Sequence, residues 1–494
     1  MQKRNLLLAI ISGFLLALAM PRPGIWPLAW AGLAPLLIAV HKSNTRQAAI
    51  YGFAAGLVYF GTILYWISIF GYLPWALVTI IESVFFAVFS AMAARFAPSR
   101  KGPLGYILVP AAWTAVQWLR SLGAYAFTWG SFAHTQAASH TVIQLASLAG
   151  PWLIDFLVCL VNVSLAEFIV SKSKRRAGAA AIALICILTV WTVGSAIIRT
   201  EPRMRPSTKV AIIQGNVDQD VVPNIDYLAN TYVTYSTMSA KAVDEGAQII
   251  VWPETTLPTP ITDYTWGGIL SGLAKKSNAT YIIGAYAPSS DPHNPLYYNS
   301  ALCYGPGGEN LGTYHKVRLV PFGEFVPLRD YLPFLSSYGI RDQDVLPGES
   351  HNLIQTNIGK IGISICFESL FADISRNETK NGARALFVIT NDAWFEHTSA
   401  AQGHLMMSQL RAVENRRYIV RGAATGISAI IDPYGRMQAD LGIFKQGMVS
   451  GKIQPLDMLT PYTRSGDWPA YLCALISLVM VTTEFRRKRS KQSS

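Results

Sequence analysis

Long apolar runs dominate the first 200 residues of the chain and return once near its end. The first seven runs lie at about 5–20, 24–40, 47–69, 74–94, 103–119, 141–170 and 177–198. An eighth run lies at 468–483. Most of them approach the roughly 20 residues that a helix needs to cross a bilayer. The pattern predicts an N-terminal membrane domain of about seven transmembrane helices over 1–199, and a last helix with a basic tail over 468–494.

Between these regions, over residues 200–467, short β-branched runs alternate with stretches of helical periodicity. Helices are predicted at 224–246, 269–277 and 401–416. Strands are predicted at 209–217, 247–252, 280–286, 297–304, 360–366, 385–390, 418–421, 427–432 and 448–453. This order favours a layered α/β domain with mixed sheets, and about 250 residues are enough for a full core.

Basic residues cluster beside alternate apolar runs. The five groups are Lys3 and Arg4; Lys42 and Arg46; Arg95, Arg100 and Lys101; Lys172, Lys174, Arg175 and Arg176; and Arg486, Arg487, Lys488, Arg489 and Lys491. By the positive-inside rule these groups face the cytoplasm, and an odd number of preceding spans then places residues 200–467 on the outer side.

The composition agrees with a membrane protein, because 51% of the residues are hydrophobic and only 14% are charged. The net charge of +12 lies largely in the groups beside the apolar runs, so we expect no nucleic-acid partner.

The longest outer loop of the membrane domain, residues 120–140, is rich in aromatic side chains, Trp129 among them. An aromatic belt at the level of the lipid headgroups is the simpler interpretation. The alternative is a rim around a cleft for lipid entry. On that alternative Trp129 is a candidate residue of the substrate pocket.

Three short motifs carry residues with catalytic potential. Val-Trp-Pro-Glu ends a predicted strand on Glu254, and Ile-Cys-Phe-Glu ends another on Cys366. His-Lys-Val-Arg-Leu-Val-Pro-Phe-Gly-Glu brings Lys316 into a loop. These residues can supply a general base, a thiol nucleophile and a cation. Taken singly, each has an ordinary alternative as an inert core thiol, a solvated carboxylate or a surface lysine.

The five cysteines show no metal-ligand spacing. Only Cys303 and Cys366 lie in the polar part of the chain. A disulfide between them stays open on the sequence alone, although a nucleophile at Cys366 excludes it.

In this order, the three motifs resemble the Glu-Lys-Cys pattern of the carbon-nitrogen hydrolase (nitrilase) superfamily. With predicted spans on both sides, the chain is similar to the apolipoprotein N-acyltransferase family over essentially its whole length. The resemblance implies an αββα sandwich of two packed mixed sheets flanked by helices. It also implies a multi-pass protein of the bacterial inner membrane with the catalytic domain on the periplasmic side.

The resemblance further implies a reaction. An acyl chain passes from a membrane phospholipid to the α-amine of the S-diacylglyceryl cysteine at the N-terminus of an apolipoprotein, the last step of lipoprotein maturation. Cys366 would carry the acyl chain as a thioester, Glu254 would act as the base, and Lys316 would stabilise the oxyanions. No metal or organic cofactor is expected, and we expect a monomer.

Other residues of the same motifs are candidates for supporting roles. Glu324 resembles a family carboxylate that supports the base and the lysine, although it could equally pair with Arg318 or Arg329. Glu368 is either a second supporting carboxylate or a structural hydrogen-bond acceptor. Phe367 stands where the family commonly has tyrosine, so we expect it to pack as an apolar side chain.

The segment Thr-Asn-Asp-Ala-Trp-Phe, residues 390–395, resembles a family segment that follows the next strand and borders the pocket. Asn391 and Trp394 are therefore candidates for the substrate pocket. Glu396 stands where glycine is usual, which predicts an altered loop geometry.

Two other functions remain open on the sequence. A membrane-tethered nitrilase-type amidase would use the same three residues and release the acyl group to water, but eight spans exceed what a tether needs. A non-catalytic membrane scaffold or transporter would not need Glu254, Lys316 and Cys366 together.

Overall fold

The computed structural model comprises two compact units. The helical unit consists of Met1–Glu201, Thr398–Met406 and Ser465–Ser494, and the α/β unit consists of Pro202–His397 and Met407–Arg464. The residues that the structure describes are 2–199, 206–217, 224–261, 266–289, 291, 296–326 and 344–492.

The helical unit follows the apolar runs of the sequence. Its helices up to residue 199 are α1 (Gln2–Ala19), α2 (Ala29–Gly32), α3 (Ala34–Val40), α4 (Thr45–Ile63), α5 (Tyr72–Phe96), α6 (Pro98–Lys101), α7 (Gly105–Leu119), α8 (Phe132–Thr135), α9 (Ala146–Val170) and α10 (Ser173–Ile198). Each of the seven predicted segments in this region contains a helix.

The lengths of the apolar helices bear on the predicted number of spans. Among the described residues, the stretches long and apolar enough to cross a membrane are the four at Gln2–Ala19, Tyr72–Leu119, Val142–Val170 and Lys174–Ile198. The second of these, at 48 residues, includes both α5 and α7. Trp26–Val40 and Trp468–Glu484 are apolar but shorter. The membrane character is therefore clear, whereas the total of about eight spans stays a prediction.

Buried polar contacts inside the helical unit hold the loop that follows α7. Arg120 Nε donates to Glu82 Oε2 at 2.5 Å, and another guanidinium nitrogen of Arg120 donates to the Trp129 carbonyl at 2.6 Å. Just beyond, the Ser131 hydroxyl donates to the Asp155 carboxylate at 3.0 Å. Carboxylates in an apolar helix bundle are costly unless they are paired in this way.

The α/β unit contains twelve strands among its described residues. They are β1 (Thr208–Gln214), β2 (Ile249–Pro260), β3 (Thr280–Pro288), β4 (Tyr297–Tyr304), β5 (Asn310–His315), β6 (Ile354–Thr356), β7 (Gly359–Ile365), β8 (Ala385–Thr390), β9 (Ile419–Ala423), β10 (Ser428–Ile431), β11 (Met437–Leu441) and β12 (Gly447–Ile453). After residue 199 the helices of the chain are α11 (Ile225–Asp244), α12 (Gly268–Ser277), α13 (Ala372–Lys380), α14 (Ala400–Asn415), α15 (Pro461–Ser465) and α16 (Trp468–Gln492). The last of these, α16, belongs to the helical unit.

The strands form two six-stranded mixed sheets, ordered β12-β1-β2-β3-β4-β5 and β11-β10-β9-β8-β7-β6. Alternate residues of the two sheets share one core, in which Ile212 and Val251 pack with Ile363 and Phe387. The opposite face of the first sheet packs against α11 and α12, and α13 packs against β7. The arrangement confirms the expected αββα sandwich.

The prediction missed β5, β6, β11, α13 and the five-residue α15. All three missed strands lie at sheet edges, where one side of the backbone needs no partner strand and side chains need not be apolar. The nine residues of α13 are mostly polar, so they lack the apolar stripe that marks a helix in a sequence.

Candidate active site

Two neighbouring parallel strands bring Cys366 and Asn391 to the same edge of their sheet. In the register of β7 with β8, Ile365 lies opposite Ile389. Cys366 directly follows β7, and Asn391 directly follows β8. The carboxyl ends of parallel strands are where open α/β sheets bind their ligands.

Glu254 reaches the same place from the other sheet. It lies in β2, where the pairing with β3 shifts between Trp252 and Leu257. The backbones of β2 and β3 approach closely here, since a Cβ atom on Gly284 would lie 2.0 Å from the Pro253 carbonyl oxygen. The irregularity lets Glu254 leave the regular ladder while its side chain stays buried.

Lys316 lies between two carboxylates. Its Nζ is 3.3 Å from Glu254 Oε1 and 2.9 Å from the Glu324 carboxylate. The lysine is 1% exposed, so its charge is held by these partners rather than by water. The structure therefore brings together Glu254, Lys316 and Glu324, and two of them, Glu254 and Lys316, shift the pKa of Cys366.

Asn299, a residue that the sequence analysis missed, joins the two carboxylates. Its Nδ2 donates to Glu254 Oε1 at 2.7 Å and to Glu324 Oε1 at 2.9 Å. The carboxylates are thus held side by side by one amide and one ammonium group. The sequence did offer one signal for Asn299, because it is an amide side chain within a predicted strand of mostly aromatic and small residues.

The backbone at Cys366 is strained. Its φ is +52°, a left-handed conformation that residues with a side chain rarely adopt. The conformation belongs to the short 3₁₀ turn Cys366–Leu370. Two hydrogen bonds stabilise the turn: the Ile365 N–H donates to Glu368 Oε2 at 2.8 Å, and the Ser369 hydroxyl donates to the Cys366 carbonyl at 2.9 Å. Strain of this kind is tolerated where the surroundings fix it, as at many active sites.

Hydrogen bonds to Glu368 connect the loop that contains Lys316 with the turn Cys366–Leu370. Its buried Oε1 accepts hydrogen bonds from the N–H groups of Val317 at 2.8 Å and Arg318 at 3.0 Å. The Tyr314 hydroxyl also donates to its carboxylate at 2.9 Å. The carboxylate thus holds the residue after Lys316 and the residue before Cys366 at once, which fixes the distance between the two motifs.

The surroundings decide the charge states at the site. Burial raises the pKa of the Cys366 thiol above its ordinary value, Glu254 raises it further, Lys316 lowers it, and Asp392 adds a smaller increase. Burial lowers the pKa of Lys316, but Glu254 and Glu324 raise it well above the ordinary lysine value. The resting site therefore holds a protonated thiol and a charged lysine, so a base must remove the thiol proton during attack.

This raised pKa makes a direct prediction. Because the thiolate fraction keeps increasing below the pKa, alkylation of Cys366 by iodoacetamide should rise about tenfold per pH unit between about pH 7 and 10, without a plateau. Peptide mass spectrometry measures the rate at this cysteine alone. The denatured protein is the control, and its rate should level off above about pH 9. A plateau near pH 8 in the folded protein would contradict the protonated resting thiol.

The remaining candidates lie in different surroundings. Phe367 packs edge-to-face on Phe371 at 5.1 Å, as an apolar side chain would. Trp394 is 59% exposed at the surface of the α/β unit. Trp129 lies in the helical unit, 3% exposed, with its ring 5.3 Å from that of Trp66. Asn391 is buried, and its backbone N–H donates to Glu254 Oε2 at 2.7 Å.

Two alternatives from the sequence can be decided. Arg318 does not take Glu324 from the lysine, since its guanidinium lies 3.3 Å from the Asp373 carboxylate and 4.0 Å over the Phe371 ring. Arg329 lies outside the described residues. Cys303 and Cys366 are not joined in a disulfide.

Comparison with known protein families agrees with this geometry. A carbon-nitrogen hydrolase model matches residues 209–460, and a model of the apolipoprotein N-acyltransferase N-terminal domain matches residues 12–164. The α/β unit thus belongs to the carbon-nitrogen hydrolases. Together with its membrane helices, the chain belongs to the apolipoprotein N-acyltransferase family.

Individual relatives cover nearly the full length of the chain. The apolipoprotein N-acyltransferase of Geobacter metallireducens is 34% identical over 98% of this chain and 96% of its own length. That of Pseudomonas putida is 30% identical over 95% of each. The crystal structure of Saccharomyces cerevisiae Nit3, a member of the nitrilase superfamily, has a TM-score of 0.41 at 20% identity, covering 52% of this chain and 93% of Nit3.

Proposed function

We propose that this chain transfers an acyl chain from a membrane phospholipid to the α-amine of the N-terminal S-diacylglyceryl cysteine of an apolipoprotein. The observation that carries the proposal is the buried contact of Lys316 with Glu254 and Glu324 beside Cys366, in a chain of this family. The enzyme works as a monomer in the bacterial inner membrane. The distribution of basic residues supports placing its α/β unit on the periplasmic side.

The first half-reaction loads the cysteine. Glu254 takes the thiol proton as the Cys366 sulfur attacks the carbonyl carbon of the phospholipid ester. The Lys316 ammonium stabilises the oxyanion of the tetrahedral intermediate. When the intermediate collapses, the ester C–O bond breaks and Glu254 returns the proton to the departing alkoxide. The products are a lysophospholipid and an acyl thioester on Cys366.

The second half-reaction unloads it. The α-amine of the apolipoprotein attacks the thioester carbonyl, and Glu254 accepts a proton from the amine. Lys316 again stabilises the oxyanion until the C–S bond breaks. The departing thiolate is then reprotonated, which regenerates the resting enzyme. A covalent intermediate lets two lipid substrates use one site in turn, a ping-pong sequence.

Exposed aromatic side chains favour a lipid substrate over a small soluble amide. Phe322 is 52% exposed in the loop that carries Lys316, and Trp394 is 59% exposed just after Asn391. Large rings that remain exposed beside catalytic segments are typical of surfaces that bind apolar ligands. The helical unit would hold the enzyme where such a substrate resides.

Intact-mass spectrometry tests the proposal. Purified protein incubated with phospholipid vesicles should gain the mass of one acyl chain, and hydroxylamine should remove it. Cys366→Ser should show no hydroxylamine-labile adduct, and Glu254→Gln should load about a hundredfold or more slowly. An unloaded wild-type enzyme that hydrolyses small amides would instead indicate a membrane-tethered amidase. The absence of both activities would indicate a non-catalytic scaffold.

A further inference from the structure

A second buried ion pair lies next to the candidate catalytic residues Glu254, Lys316 and Cys366. An Arg421 guanidinium nitrogen donates to Asp392 Oδ2 at 2.8 Å, and both side chains are fully buried. Arg421 lies in β9, and Asp392 follows the neighbouring parallel strand β8. The packing is tight, because a Cβ atom on Gly426 would lie 2.3 Å from Asp392 Oδ2. The geometry of this carboxylate is therefore fixed from two sides.

The ion pair holds a turn that touches both the nucleophile and the base. Asp392 Oδ1 accepts a hydrogen bond from the Thr390 hydroxyl at 2.9 Å. Thr390 and Cys366 follow the paired residues Ile389 and Ile365 on neighbouring strands, and the Thr390 hydroxyl lowers the pKa of the Cys366 thiol. Between these residues, the Asn391 N–H donates to Glu254 Oε2 at 2.7 Å. One three-residue turn thus contacts both reacting groups of the site.

The Thr390 hydroxyl has one proton and two acceptors within reach. While the sulfur is a thiol, the hydroxyl can donate to Asp392. When the sulfur becomes a thiolate, the hydroxyl can turn the same proton toward the sulfur. Asp392 therefore competes with Cys366 for this proton, and the charge of Arg421 weakens that competition by holding the carboxylate. No proton leaves Thr390 in this exchange.

We propose that Asp392 and Arg421 are a positioning pair for the thioester chemistry, holding the 390–392 turn so that Thr390 stabilises the thiolate and Asn391 orients Glu254. This inference rests on the proposed function and deepens it. A buried ion pair adds little stability compared with apolar residues of similar volume, so its contribution lies in what it orients.

The charges around Cys366 give the pair an effect that simple structural support would not have. The sulfur is influenced by Glu254 from β2, Lys316 from the loop after β5, Thr390 at the end of β8 and Asp392 just beyond it. Removing the Asp392 charge should favour the thiolate. Removing the Arg421 charge leaves Asp392 uncompensated and should disfavour it. The two substitutions therefore act on the sulfur with opposite signs.

The test measures Cys366 alkylation by iodoacetamide in the full-length protein at one pH near 8.5. Asp392→Asn should react about threefold faster than wild type and Arg421→Gln about threefold slower, because a change of about one unit in thiol pKa is partly offset by altered nucleophilicity. Arg421→Lys keeps the charge and should react like wild type. Thioester formation should fall about tenfold in both Asp392→Asn and Arg421→Gln, since both disturb the turn.

Equal or same-direction changes in alkylation would overturn the proposal and leave the pair a structural feature. If either variant does not fold, Thr390→Val decides, because it keeps the pair and removes only the hydroxyl. It should alkylate more slowly and load less thioester at a temperature where far-UV circular dichroism shows it folded; wild-type behaviour would overturn the proposal. If Asp392→Asn and Arg421→Gln change the alkylation rate in opposite directions but the wild type forms no thioester, the positioning role of the pair holds and the proposed acyl transfer is wrong.

Discussion

Lys316→Met is expected to lower the rate of thioester formation at Cys366 by about a thousandfold. The substitution removes the cation proposed to stabilise the oxyanion, and it leaves the buried Glu254 beside the partly buried Glu324 without a positive charge. Their repulsion should also destabilise the fold by roughly 3–5 kcal/mol, the usual result of removing one partner from a buried ion pair. Single-turnover loading from phospholipid and thermal unfolding in detergent measure the two effects.

The matched control is Lys276→Met, which makes the same change at an exposed position of α12. It should leave both loading and unfolding unchanged. Because Lys316→Met could lose activity simply by unfolding, the loading rate is taken at a temperature where far-UV circular dichroism shows the variant folded. Loading within tenfold of wild type in folded Lys316→Met would remove the lysine from the proposed mechanism.

Glu368→Gln is expected to slow thioester formation by about a hundredfold or more, although Gln has nearly the same shape. Both oxygens of Glu368 accept hydrogen bonds, from Val317 and Arg318 on one side and from Ile365 on the other. An amide nitrogen at either position would face a donor. One buried N–H would then lose its acceptor, at a cost of about 1–3 kcal/mol.

The control for this prediction is Glu349→Gln, at an exposed carboxylate of the same chain. It should behave as wild type in loading and in thermal unfolding. In Glu368→Gln, Cys366 should remain present and alkylatable, which separates a misplaced nucleophile from a missing one. Normal loading by a destabilised Glu368→Gln would mean that the carboxylate only supports the fold.

The candidates Glu254, Lys316 and Cys366 could be proposed from the sequence because each lies in a short motif, although β5, the strand directly before Lys316, was missed. Cys366 ends the predicted strand 360–366, which matches β7 closely. Glu254 comes two residues after the predicted strand 247–252, whose counterpart β2 continues to Pro260. The order of the motifs then suggested the family. Each motif is a short stretch of sequence, so it can be recognised without knowledge of the tertiary contacts.

Glu324 could be proposed from its motif, but Asn299 and Arg421 could not, because their contacts depend on which strands become neighbours. Asn299 meets Glu254 only through the pairing of β4 with β3 and of β3 with β2. Arg421 meets Asp392 only because β9 pairs in parallel with β8. Neither residue stands in a motif with one of the catalytic candidates, and no periodicity marks such contacts in the chain.

The pairing of β1 with β12 has a consequence for how the protein is made. The two strands are antiparallel neighbours, with Thr208 opposite Ile453, although they are the first and last strands of the α/β unit. During synthesis the backbone N–H and C=O groups on one side of β1 therefore stay unpaired until β12, near the end of the chain, has been translated. Such an edge can pair with other polypeptides, so this enzyme should depend on chaperones late in its biogenesis rather than early.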